Sequence, residues 1–129
     1  MIQVLISLRD PILSDIVSTA FKQFPSVTSH RLPENRVMDT IANSEYDAIV
    51  VDLMKGDEMR QGLLVQEIRE SGNKIEIIGL VDRNLKDRFN RYKLDNSLFS
   101  VFPLPVDPFA LAKNIVRLET RLKKTSTRR

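Results

Sequence analysis

Four apolar residues, Ala48 to Val51, run without a polar break inside the stretch Tyr46–Met54, YDAIVVDLM. Tyr46, Ile49, Val50 and Val51 are strand-favouring. A short unbroken apolar run of this kind suits a strand buried on both faces, as strands of parallel sheets are. The run ends at Asp52, which places a carboxylate where the strand leaves the core. In open α/β sheets ligand sites lie just beyond the carboxyl ends of the strands. Asp52 is therefore the first candidate for chemistry, against the simpler reading of a turn aspartate that ends the strand.

The rest of the chain alternates strands with helices. Val4 to Ser7 is a second compact apolar run and gives the first strand. Asp10-Pro11 then signals a helix start, with Asp as N-cap and Pro at the first helical position. Ile12, Leu13, Ile16, Val17, Ala20, Phe21 and Phe24 form its apolar stripe, and Pro25 stops it. Ser26 to Leu32 reads as a strand with polar content, near a sheet edge. Pro33 opens a second helix with Val37, Met38, Ile41 and Ala42 on its inner face. The central strand follows, then a loop over Lys55–Arg60 and a helix carrying Leu63, Leu64 and Ile68 that ends at Ser71-Gly72. Ile75 to Val81 is the fourth strand. Leu85, Phe89 and Tyr92 space a fourth helix, Leu98 to Phe102 is the fifth strand, and Pro108 opens a last helix with Phe109, Leu111, Ala112, Ile115, Val116, Leu118 and Leu122. Strand and helix thus alternate five times, which predicts an α/β fold with a five-stranded parallel sheet covered on both faces. Five such units in about 120 residues fit the flavodoxin-like, doubly wound (βα)5 order 2-1-3-4-5.

Composition narrows the function classes. The 129 residues make one domain, and 42% hydrophobic with 29% charged residues is a globular balance. The absence of cysteine excludes disulfides, thiolate nucleophiles and Cys-ligated metals. No apolar run approaches the roughly 20 residues that span a bilayer, and no signal-peptide pattern opens the chain, so the cytoplasm is the default location. The net charge of +3 is concentrated in Arg117, Arg121, Lys123, Lys124, Arg128 and Arg129, set against Glu119 alone. Residues 1–122 are expected to form the domain and 123–129 a basic tail or the start of a linker.

This order, together with DAIVVDLM, resembles the receiver domain of bacterial response regulators (CheY-like) over residues 1 to about 120. The resemblance implies a phosphoacceptor position at Asp52, filled from a histidine kinase in a two-component phosphorelay. It also implies an acidic pair after the first strand that holds Mg²⁺. Here Leu8 and Arg9 stand at that pair, and Asp10 comes one position late. The family's Thr or Ser at the end of the fourth strand falls on Val81, and its Lys before a proline falls on Leu104, before Pro105. Gly62 lies about two residues farther from the aspartate than its family counterpart. Phosphoryl transfer depends on a divalent ion and fixed cations that neutralise charge on the equatorial oxygens. Leu104 supplies no ammonium and Val81 no hydroxyl. The sequence keeps the scaffold and loses most of the chemistry, which is the pattern of a pseudo-receiver.

The expected function is signalling through protein–protein contact, independent of phosphorylation, as the N-terminal part of a larger regulator. Neither enzymatic activity nor a cofactor is expected. In receivers the face of the fourth helix, fifth strand and last helix serves dimerisation or output docking, and here it carries Tyr92 and Phe99. A homodimer or an output domain would use that face. Two alternatives stand. Asp52 could be a working phosphoacceptor with Mg²⁺ held by Asp10 or Asp57. The basic fourth helix (Arg83, Lys86, Arg88, Arg91, Lys93) and the tail could contact nucleic acid, with a steep salt dependence; its interleaved Asp82, Asp87 and Asp95 favour a solvated face instead. A flavin enzyme has least support, because the SLRDP loop lacks the small residues that cradle phosphate. His30, the one histidine, reads as a surface residue, and Asp57-Glu58 as a solvated acidic pair. Two geometric expectations follow from the missing residues. The Leu104–Pro105 peptide is expected to be cis. The Arg9 guanidinium is expected to enter the vacated metal position and pair with Asp52, lowering the carboxyl pKa.

Overall fold

The computed structural model describes residues 2–53, 58–82 and 100–127. In chain order they form β1 (Ile2–Ser7), α1 (Pro11–Phe21), β2 (Val27–Arg31), a 3-10 turn (Glu34–Arg36) that runs into α2 (Val37–Asn43), β3 (Ala48–Leu53), α3 (Glu58–Glu70), β4 (Glu76–Asp82), β5 (Ser100–Leu104) and the last helix, α4 (Pro108–Thr127). The strands build one five-stranded sheet in the order β2-β1-β3-β4-β5, with all four pairings parallel. This is the order the alternation predicts.

Residues 48–51 of β3 are all fully buried, because the sheet is covered on both faces. Alternate residues of each strand point to opposite layers. Val4, Ile6, Val50, Ile78 and Leu80 pack with Val17 and Phe21 of α1 and with Leu111, Ile115 and Leu118 of α4. Leu5, Ile49, Val51, Ile77 and Val81 pack with Val37 and Ile41 of α2 and with Leu64, Val65 and Ile68 of α3. Pro103 lies within β5, at the sheet edge, where a missing N–H leaves no ladder bond unmade.

Several boundaries and faces differ from the sequence reading. β4 and β5 end later than expected, at Asp82 and Leu104, and α3 starts at Glu58, inside the expected loop, so that Gly62 is helical. Ile12 and Ile16 of α1 are 70% and 46% exposed, and Phe109 of α4 is 52% exposed. The apolar stripe of α1 is two columns wide, and the helix seats on the column of Val17, Ala20 and Phe21. Small Ser14 and Ser18 face inward beside it. Ala42 is likewise exposed, whereas Val37 and Ile41 are buried. The segment expected as a tail is helical as far as Thr127. The helix expected through Leu85, Phe89 and Tyr92, with its basic residues, lies outside the described residues, as do Phe99 and Asp57.

Loop chemistry explains the helix ends. Asp10 caps α1, its Oδ1 accepting from the N–H groups of Ile12 (2.9 Å) and Leu13 (3.4 Å), with Pro11 at the first helical position. α3 gives way to Gly72 at φ 82°, a left-handed conformation that glycine adopts at no steric cost. Arg69 then ties the turn to the strand that follows. Its Nη1 donates to the carbonyls of Asn73 (3.1 Å) and Ile75 (2.7 Å).

Candidate functional site

The carboxyl ends of the strands bring the predicted positions to one edge of the sheet. Ser7 is in register with Val51, so Leu8 and Arg9 leave β1 beside Asp52. Asp52 is in register with Leu80, Leu53 with Val81, and Asp82 with Leu104. Asp52 lies within β3 and is only 1% exposed. It follows Val50 by two residues and so faces the α1–α4 layer.

Among the described residues, apolar side chains stand at three of the positions where the chemistry would need charge or a hydroxyl. Leu8 and Leu104 are partly buried and pack against the cluster that contains Ile6, Val50 and Leu80. Val81 is fully buried in the opposite layer. Neither Leu80 nor Val81, the β4 residues at this level, carries a hydroxyl. The Leu104–Pro105 peptide is cis.

Arg9 meets Asp52 by a different atom from the one expected. Its main-chain N–H donates to Asp52 Oδ2 at 3.0 Å. The guanidinium is directed to Glu34, with Nε 3.9 Å from Oε2. Arg9 and Asp52 are thus joined through a main-chain hydrogen bond. The chain turns immediately after β1 to reach the Asp10 cap, and this presents the Arg9 amide to the sheet edge and its side chain to the loop after β2.

Mg²⁺ takes oxygen ligands, and one or two carboxylates ordinarily anchor it. Among the described residues Asp52 and Asp82 are the aspartates at these strand ends, Asp10 caps its own helix, and no cluster of three or more potential metal ligands occurs. Asp57, the other carboxylate expected for a Mg²⁺ site, lies outside the described residues. His30 is exposed on β2, where its Nδ1 lies 3.3 Å from the Tyr46 hydroxyl and the rings meet edge to face.

Sequence reasoning missed Glu34 as a partner of Arg9, and Arg31 of β2 as the partner of Ser14 and Asp15 in α1. The spacing offered no signal for either, since both contacts join residues far apart in sequence.

Similarity to solved structures agrees with this topology. The receiver domain of Francisella response regulator 1452 matches with a TM-score of 0.79 over 95% of this chain and 99% of that chain, at 18% identity. The fold is that of a response-regulator receiver domain. The response regulator TrrA from Thermotoga maritima, in complex with Mg(2+)-BeF, shares the receiver fold with a TM-score of 0.71 at 12% identity, covering 92% of this chain and 99% of that one. A redox sensor of the streptococci, from a family evolved from two-component response regulators, matches with a TM-score of 0.81 at 14% identity, over 100% of this chain and 56% of that one. No family model and no curated protein matches the sequence. Within this fold Asp52 lies in β3, at the carboxyl end of the sheet.

Proposed function

We propose that the chain is a receiver-type signalling module that acts through protein contacts and does not rely on phosphorylation of Asp52. The observation that carries this reading is the packing of Leu8 and Leu104 into the hydrophobic cluster on the face that Asp52 shares. A carboxylate that must hold Mg²⁺ and accept a phosphoryl group needs charged neighbours there. The TrrA structure holds Mg(2+)-BeF; this chain has Leu8 and Arg9 at the acidic pair, Val81 at the hydroxyl and Leu104 at the lysine. The streptococcal redox sensors are a precedent for a receiver fold put to another input. Exposed Ile12, Ile16 and Phe109 suit a surface that meets other proteins. This reading has the module act in the cytoplasm as the N-terminal part of a larger regulator; Tyr92 and Phe99, its interface candidates, lie outside the described residues. It is a binding module and not an enzyme.

Titration with Mg²⁺ tests the reading. Amide signals of Leu8, Arg9 and Asp52, followed by ¹H–¹⁵N NMR, are expected to show no saturable shift at millimolar Mg²⁺. A saturable shift at these three residues that disappears in Asp52→Asn would favour the alternative, a working phosphoacceptor.

A further inference from the structure

The geometry points to a second copy of this chain as the partner of the α1 surface, with the two α1 helices antiparallel across a two-fold axis. Among the described residues, the exposed large apolar side chains are Ile12, Ile16 and Phe109. Ile12 and Ile16 stand one turn apart on α1. Ile16 and Phe109 line one groove of about 350 Å³ between α1 and α4, with Thr19, Ala20, Gln23 and Pro108 as further walls.

The outer face of α1 reads as the seam of a two-helix contact. Ile12, Ile16, Thr19 and Gln23 are all exposed and follow one another at i, i+4, i+7 and i+11, the heptad spacing of such seams. The helical turn continues past Phe21. Lys22 has φ −64° and ψ −17°, and the Gln23 N–H donates to the Ala20 carbonyl at 3.1 Å. The seam is graded in size. Isoleucines fill its first half, whereas Thr19 beside buried Ala20 leaves the second half hollow. Antiparallel pairing sets the large half of each helix into the hollow half of the other. Ile16 then meets Thr19 of the second copy, and Ile12 enters its groove beside Gln23. A two-fold contact requires a surface of this kind, which carries both the knob and its hole.

Charge selects the same direction. Asp15 and Lys22 flank the seam on one side, and both are exposed. In the antiparallel register each Asp15 meets Lys22 of the other copy, so the contact gains two opposite-charge pairs. A parallel pairing would set isoleucine on isoleucine and leave these charges unmatched. Asp15 gives one oxygen to Arg31, yet its side chain is 67% exposed and a carboxylate accepts more than one donor. A seam of four residues is smaller than the roughly 800 Å² per partner of a stable complex, so the dimer is of the weak class and dissociates at low micromolar concentration. This pairing rests on the reading of the chain as a protein-contact module and names its partner.

Sedimentation equilibrium from micromolar to millimolar concentration tests it on the whole chain. The mass is expected to rise from one copy toward two, with concentration-dependent amide shifts at Ile12, Ile16, Thr19, Gln23 and Phe109. Ile12→Glu should weaken association by about tenfold or more, because the two-fold axis counts the lost burial twice. Lys22→Glu and Asp15→Lys should each weaken it about threefold or more. An equimolar mixture of these two variants should associate as the wild type does, since each cross-chain pair is then again of opposite sign. Dispersed amide spectra establish that the variants are folded. A mass of one copy up to millimolar concentration would overturn the proposal, as would undiminished association in a folded Ile12→Glu. Shifts on β5 in place of α1, or a mixture that associates no better than its components, would overturn the antiparallel α1 contact. None of these outcomes bears on Mg²⁺ binding at Asp52, which is read separately.

Discussion

Replacing Phe21 by alanine is expected to lower the unfolding free energy by about 3–5 kcal/mol. Phe21 closes α1, is fully buried, and packs in the cluster with Ile2, Val17, Val27 and Ile115. Truncation removes apolar area and leaves a cavity between α1 and the sheet that the surrounding elements cannot fill by relaxing. Against a total of about 5–15 kcal/mol for an ordinary domain, this is a large share. Urea denaturation should show a lower midpoint with an unchanged slope. Ile16→Ala, on the same helix at 46% exposure, serves as the contrast and should cost about 0.5 kcal/mol or less. Equal losses at the two positions would mean that α1 seats on the other column.

Arg69→Met is the second large effect, at about 2 kcal/mol. Methionine keeps the length of the side chain and removes the donor to the Asn73 and Ile75 carbonyls. Asn73 is itself a hub, since its Nδ2 donates to the carbonyl of Ile41 and its Oδ1 accepts from the N–H of Ile75. Losing Arg69 therefore loosens the turn that joins α3 to β4 and to the end of α2. Burial lowers the Arg69 pKa from its usual value, and Glu76 partly restores it. A cation with a lowered folded pKa costs stability while protonated, and the cost lifts only as pH rises through that folded value. That window lies far above neutrality for arginine, so the loss should be the same at about pH 6 and about pH 8. A loss that changes sharply between them would point to another titrating group.

The topology was legible because each strand is a compact apolar run and each helix a periodic one. The central run of β3 alone argues for a parallel sheet, and Asp10-Pro11 and Ser71-Gly72 mark helix ends by their own chemistry. Faces were less legible. Ile12 and Ile16 continue the stripe of α1 in sequence, but only one column of a helix can sit against a sheet, and periodicity does not say which. The candidate site was legible by position and not by contact. Asp52, Leu8, Arg9, Val81 and Leu104 reach one sheet edge because parallel strands align their ends. The direction of the Arg9 side chain depends on how the chain turns after Ser7, and its partner Glu34 comes from another loop. No local pattern encodes that meeting.

The central claim is that this receiver fold has lost phosphoryl chemistry at Asp52, and intact-mass analysis after incubation with acetyl phosphate and Mg²⁺ tests it most directly. Asp52 is buried, its Oδ2 is held by the Arg9 amide, and its neighbours at the sheet edge include Leu8 and Leu104. No gain in mass is predicted for the wild-type chain or for Asp52→Asn. A stoichiometric gain of one phosphoryl group in the wild-type chain, absent in Asp52→Asn, would contradict the account.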